Sequence, residues 1–130
     1  MTKIRKAVLA GVAALGLAGP AFAHHSFAMF SADKTVTLPG TVQEFEWTNP
    51  HAWLHVMVAP AGGQPAQEWA FEMASPAQLY ARGGWKADTV KPGDKIIVQM
   101  HPMKDGSYGG QYVAVKLPNG QILGNWKPAT

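Results

Sequence analysis

The sequence predicts a small all-β domain in which five strands form a barrel and one short helix interrupts them after the third. Three observations carry that expectation. From His51 to Val58 the chain alternates strictly, with Ala52, Leu54, Val56 and Val58 on one face and His51, Trp53, His55 and Met57 on the other. Turn-forming clusters (Pro39-Gly40, Asn49-Pro50, Ala61-Gly62-Gly63, Lys91-Pro92-Gly93-Asp94, Asp105-Gly106-Ser107 and Pro118-Asn119-Gly120) divide the rest into strand-length pieces. Helix signals appear once, between Ser75-Pro76 and Gly83-Gly84. This order of elements is that of an OB-like barrel, with a small β-sandwich as the alternative.

The first strand spans Lys34 to Trp47 and is marked by Pro39-Gly40. Its apolar phase slips between Val42 and Phe45, which predicts a bend or bulge there. The second strand is the alternating stretch from His51 to Val58. Gln67 to Met73 returns with Trp69, Phe71 and Met73 in phase, opposed by Glu68 and Glu72, so the second and third strands read as a hairpin. Ser75 is a good N-cap and Pro76 suits the first helical position, giving a helix of about two turns that ends at Gly83-Gly84. Lys95 to Met103 and Gln111 to Leu117 supply the fourth and fifth strands, and Gln121 to Leu123 a short apolar piece. The glycines of 106–110 read as a hairpin loop, and residues 127–130 as a loose tail.

Residues 1–23 have the parts of a cleavable export signal: Lys3, Arg5 and Lys6, then the apolar run Ala7 to Ala18, a Gly19-Pro20 break, and Ala21 and Ala23 at an A-x-A site. The run is short for a membrane span. Cleavage after Ala23 leaves one domain, residues 24–130, exported and periplasmic in a Gram-negative host, with no stable membrane insertion after processing. The full chain has a net charge of +3, from 11 Lys and Arg against 8 Asp and Glu. Three of those cations lie in the leader, so the processed chain is balanced. That removes the electrostatic case for a nucleic-acid partner. The chain has no cysteine, which excludes thiolate metal sites and a thiol nucleophile.

Processing would make His24 the terminal residue, and a terminal histidine offers a metal its α-amine and its Nδ1 in one six-membered chelate. All five histidines lie at or beyond this point, at 24, 25, 51, 55 and 101. Imidazole and amine suit copper first and zinc as the alternative, and methionine sulfur could assist Cu(I). His51 and His55 are about 13 Å apart along a regular strand at ~3.3 Å per residue, too far for one metal. His101 and Met103 are roughly 7 Å apart on one face. The candidate ligand set is therefore His24, His25, His51, His101 and Met103, serving a carrier, sensor or accessory module rather than an enzyme. A bland reading stands beside it: a terminal His-His can be a flexible polar start, and His51 after Asn49-Pro50 can simply bond a turn.

No triad or nucleophile motif is present, and Glu44, Glu46, Glu68 and Glu72 read as solvated charges on strand faces. The alternative function is a metal-free ligand- or protein-binding module with an aromatic surface, drawn from Trp47, Trp53 and Trp85. The partner is then an exported protein or small ligand rather than a metal ion.

Several stretches taken together, His24-His25-Ser26-Phe27, Gly40-Thr41-Val42, Trp47-Thr48-Asn49-Pro50-His51, Ser75-Pro76, Gly84-Trp85 and Lys91-Pro92-Gly93-Asp94, resemble a family of small exported bacterial proteins catalogued as a domain of unknown function. The resemblance covers nearly all of residues 24–130. It implies export and no particular activity, so the chemistry rests on the side chains.

Overall fold

Alternating β-branched and aromatic residues form six strands in the computed structural model, which describes residues 27–128. They are β1 (Val36–Glu46), β2 (Trp53–Val58), β3 (Gln67–Glu72), β4 (Lys95–Pro102), β5 (Gly109–Lys116) and β6 (Ile122–Gly124), with helix α1 (Pro76–Gly83) between β3 and β4. The sheet runs β3-β2-β1-β4-β5-β6, and a parallel pairing of β3 with β5 joins its ends. Five strands thus close a barrel of the OB type, and β6 adds to the outer edge of β5.

The expected phase slip in β1 is a bulge: Val42 faces Val56 and Glu44 faces His55, which leaves Gln43 extra. The bulge restores the inward phase, so Val42 and Phe45 both meet inward residues of β2, and it bends β1 around the barrel. A second irregularity lies between β4 and β5, where Gln99 pairs with Ala114 but Met100 with Tyr112.

Inside sit Val42, Leu54, Val56, Phe71, Val98, Met100 and Val115, closed at one end by Leu79 of α1 and by Trp85. The helix is fixed by its caps. Ser75 Oγ accepts the Gln78 N–H at 3.3 Å, and Gly84 adopts the left-handed conformation (φ 71°) as its N–H bonds Leu79 O. Trp85 is fully buried, and its indole N–H donates to the Tyr112 hydroxyl at 3.0 Å. Lys127, the first residue of the expected loose tail, is tied down. Buried Gln99 donates to Lys127 O at 2.7 Å and accepts the Lys127 N–H at 2.8 Å, a paired amide contact that holds the segment after β6 against β4.

Closure of the barrel depends on Gly109, and the close approach of β5 to β4 beside it on Gly110. A Cβ on Gly109 would stand 2.7 Å from Ala70 O, and one on Gly110 would stand 2.5 Å from His101 O and 2.7 Å from Met100 Sδ. Backbone cannot yield as a flexible side chain can, so Gly110→Ala is expected to cost about 1–3 kcal/mol in urea unfolding. Burial pushes the Tyr112 phenol up to about 12, against the opposing effect of the Trp85 N–H. The folded value lies above the ordinary 10.0, so the neutral phenol contributes fully below pH 10 and its contribution is lost between pH 10 and about 12. In an alkaline absorbance titration, Tyr112 should appear as a late step near pH 12. Tyr112→Phe should remove that late step and, by orphaning the Trp85 N–H, cost about 1–3 kcal/mol.

Candidate functional site

The period of a strand places every second residue of β1, β2 and β3 on the outside of the barrel, and these carry most of the polar chemistry. Strand register builds one row around the wall, Glu46 opposite Trp53, Trp53 opposite Glu72, Glu72 opposite Gln111, and Gln111 opposite His101. A second row sets Glu44 against His55 and His55 against Ala70.

Glu72 differs from the other carboxylates of this face because it is only 4% exposed. Its cover comes from the start of the described chain. Phe27–Met29 form a 3-10 turn, Phe30 bridges to Met103, the Ser31 N–H bonds Pro102 O at 2.8 Å, and the Lys104 N–H bonds Met29 O at 2.9 Å. This entry segment is zipped to the end of β4 and roofs a cavity of about 180 Å³ whose walls include Met29, Phe30, Trp53, Glu72 and Met103. Within the protein, Glu72 Oε1 pairs with His51 Nδ1 in a short contact. A buried carboxylate on one ring nitrogen fixes the imidazole's orientation.

The other histidines have different settings. His55 faces a carboxylate at each nitrogen, Glu46 Oε1 at 2.9 Å from Nε2 and Glu68 Oε1 at 3.0 Å from Nδ1. Both nitrogens are therefore engaged. His101 donates from Nδ1 to Lys34 O at 2.6 Å and lies two strands from Glu72, about 10 Å at ~4.8 Å per strand. Met103 lines the Glu72 cavity and His101 does not, so these two ligand candidates diverge despite their spacing. His24 and His25 lie outside the described residues, as does the candidate leader.

Of the aromatic candidates, Trp53 is half-buried in the cavity wall and Trp47 packs edge-on to Phe45 at 5.7 Å. Trp85 has no exposed surface and belongs to the core rather than to a binding face. The residue of this candidate site that the sequence does not single out is Glu72. Its signal would have been a strand carboxylate facing a histidine at the start of the partner strand, but the cover from Phe30 and Met103 is a long-range contact.

A family model described as a family of unknown function, DUF6152, matches residues 12–112. The chain belongs to this family. The matched span of this DUF6152 protein holds His24, His25, His51, Glu72, His101 and Met103. None of the curated proteins matches it. Among solved structures, the chain is similar to the mitochondrial single-stranded DNA binding protein Rim1 of S. cerevisiae, at 10% identity over 65% of this chain and 92% of that one, with a TM-score of 0.49. A second crystal structure of Rim1 gives 12% identity over 72% and 97%, with a TM-score of 0.43. Neither likeness bears on what the DUF6152 protein binds.

If burial and pairing with His51 hold Glu72 in place, Glu72→Ala should cost about 1–3 kcal/mol through loss of that pair. His55→Ala, at a partly exposed surface pair, should cost about 0–1 kcal/mol. Urea unfolding of both variants near neutral pH checks the difference.

Proposed function

We propose that this DUF6152 protein is an exported copper-binding module in which His24 and His51 hold the metal. The observation that carries the reading is the position of the entry segment: Met29 and Phe30 roof the very cavity whose buried Glu72 also orients His51. Three peptide units separate His24 from Phe27, a reach of about 10 Å at ~3.5 Å per residue. Processing after Ala23 gives His24 a free amine with an ordinary pKa near 8, so its deprotonation by a metal at neutral pH costs little. Among the described residues, no group of three His, Cys, Asp or Glu side chains is arranged to hold a metal ion by itself. A site on this face therefore draws on the terminal chelate. His25 competes for the same metal, Met103 offers a thioether to Cu(I), and His101 is the more distant donor. Zinc is the alternative ion.

Such a module suits a carrier, sensor or accessory protein. It works outside the cytoplasm, in the periplasm of a Gram-negative host. Among the described residues, no helix is long and apolar enough to cross a membrane. Glu44, Glu46 and Glu68 stand on the outer faces of β1 and β3, and this charge favours a cation over a phosphate backbone.

Titration of Cu(II) against a competing chelator, with the processed protein, tests the reading. One residue added ahead of His24 turns its amine into an amide and should weaken binding by much more than about tenfold. Glu72→Gln should weaken it by about 10–100-fold, as loss of a carboxylate behind a ligating imidazole does. Equal affinity of the native and extended termini would refute the proposal.

A further inference from the structure

A different part of the wall carries a second site. Where β1 passes Pro39-Gly40, the outer surface is apolar and hollow. The hollow has a volume of about 530 Å³, within the range of small-molecule sites, and Pro39, Met57, Ile97 and Leu117 form its bed. Beneath it Gly40 faces inward, where a Cβ would run into the Val56 side chain and stand 2.8 Å from Met57 O, so β1 lies close against β2 there. At Pro39 and Ala59 this hollow meets another, of about 600 Å³, which continues past Leu38 and Val58 to Trp69 and Tyr108 at the mouth of the barrel. The two share Pro39 and Ala59 as a common wall, and together they make a trough.

The charged side chains that line the trough are Lys95 and Lys116, both at the same end. Register sets Lys95 opposite Thr41 and Lys116 opposite Ile97, so the two cations flank the apolar bed. Neither lysine makes an ion pair among the described residues, and the Lys116 ammonium rests 5.4 Å from the centre of the Trp126 ring. Glu68 lies across the ladder from Met57, but its carboxylate is engaged by His55. The trough therefore has an aromatic, uncharged end and a cationic end. An exposed apolar surface of this kind gains from being covered, and its charge selects what covers it.

We propose that the trough binds a free long-chain carboxylate, with the acyl chain along Pro39 and Ala59 and the carboxylate at Lys95 and Lys116. Both lysines donate to an anionic head, and the bed between them and Tyr108 offers no buried polar group that an acyl chain would leave unpaired. This site is separate from the Glu72 cavity and stands or falls independently of copper.

Calorimetric titration of the processed protein with dodecanoate, below its micelle concentration, tests the proposal, with dodecanol and phosphatidylglycerol vesicles as the other arms. The expected result is saturable binding of dodecanoate. The double variant Lys95→Gln, Lys116→Gln should weaken it about tenfold while leaving dodecanol within about twofold, since only the head group has lost its partners. Met57→Gln should weaken both ligands. Unchanged thermal unfolding of each variant shows that the fold is intact. Absence of saturable binding, equal losses for acid and alcohol in the lysine variant, or binding to vesicles alone would overturn the assignment.

Discussion

The parallel pairing of Ala70–Glu72 with Gly109–Gln111 turns an open sheet into a barrel, and it needs a glycine at 109, where a Cβ would collide with the Ala70 carbonyl. Local turns can make the antiparallel pairs β1–β2 and β2–β3, whereas this contact joins segments almost forty residues apart. Its consequences reach the surface. Glu72 gains Gln111 as a neighbour on its second side, and Met103, just past β4, comes over the same face. The entry segment then has an edge to zip against. Burial of Glu72, and hence the fixed orientation of His51, follows from closure of the barrel.

Closure also leaves the outer wall chemically divided. Four of the chain's eight carboxylates, Glu44, Glu46, Glu68 and Glu72, stand on the outer faces of β1 and β3, with His55 and His51 among them. Beyond Met57 the wall becomes apolar and then cationic at Lys95 and Lys116. A balanced net charge conceals this separation. Two histidines four residues apart have different settings in it: His55 lies between Glu46 and Glu68, and His51 pairs with the buried Glu72.

What was legible in the sequence was what depends on neighbours in the chain. Alternation from Ala52 to Val58 gave β2 its faces, the phase slip after Val42 located the bulge, and Ser75-Pro76 with Gly83-Gly84 bounded α1. Those signals sufficed for an OB-like barrel. What depends on distant contacts was not legible. Gly109-Gly110 read as loop because glycine is a poor strand residue, yet β5 starts there, since only glycine permits the closing pair. Glu72 read as a solvated strand charge because nothing local reveals that Phe30 and Met103 cover it. His101 and Met103 read as a pair by spacing, but Met103 lies beyond β4 in a bridge to Phe30 while His101 is tied to Lys34. The tail after β6 read as loose because the amide pair between Gln99 and Lys127 spans 28 residues.

The central claim is that the terminal chelate and the Glu72-oriented imidazole meet on one metal. Electron paramagnetic resonance of the processed protein loaded with one equivalent of Cu(II) tests it most directly, by comparing the native chain with His51→Ala and His101→Ala. Coordination by His24 and His51 predicts a nitrogen-rich spectrum whose hyperfine pattern changes in the His51 variant and is retained in the His101 variant. A spectrum unchanged by loss of His51 would contradict the account.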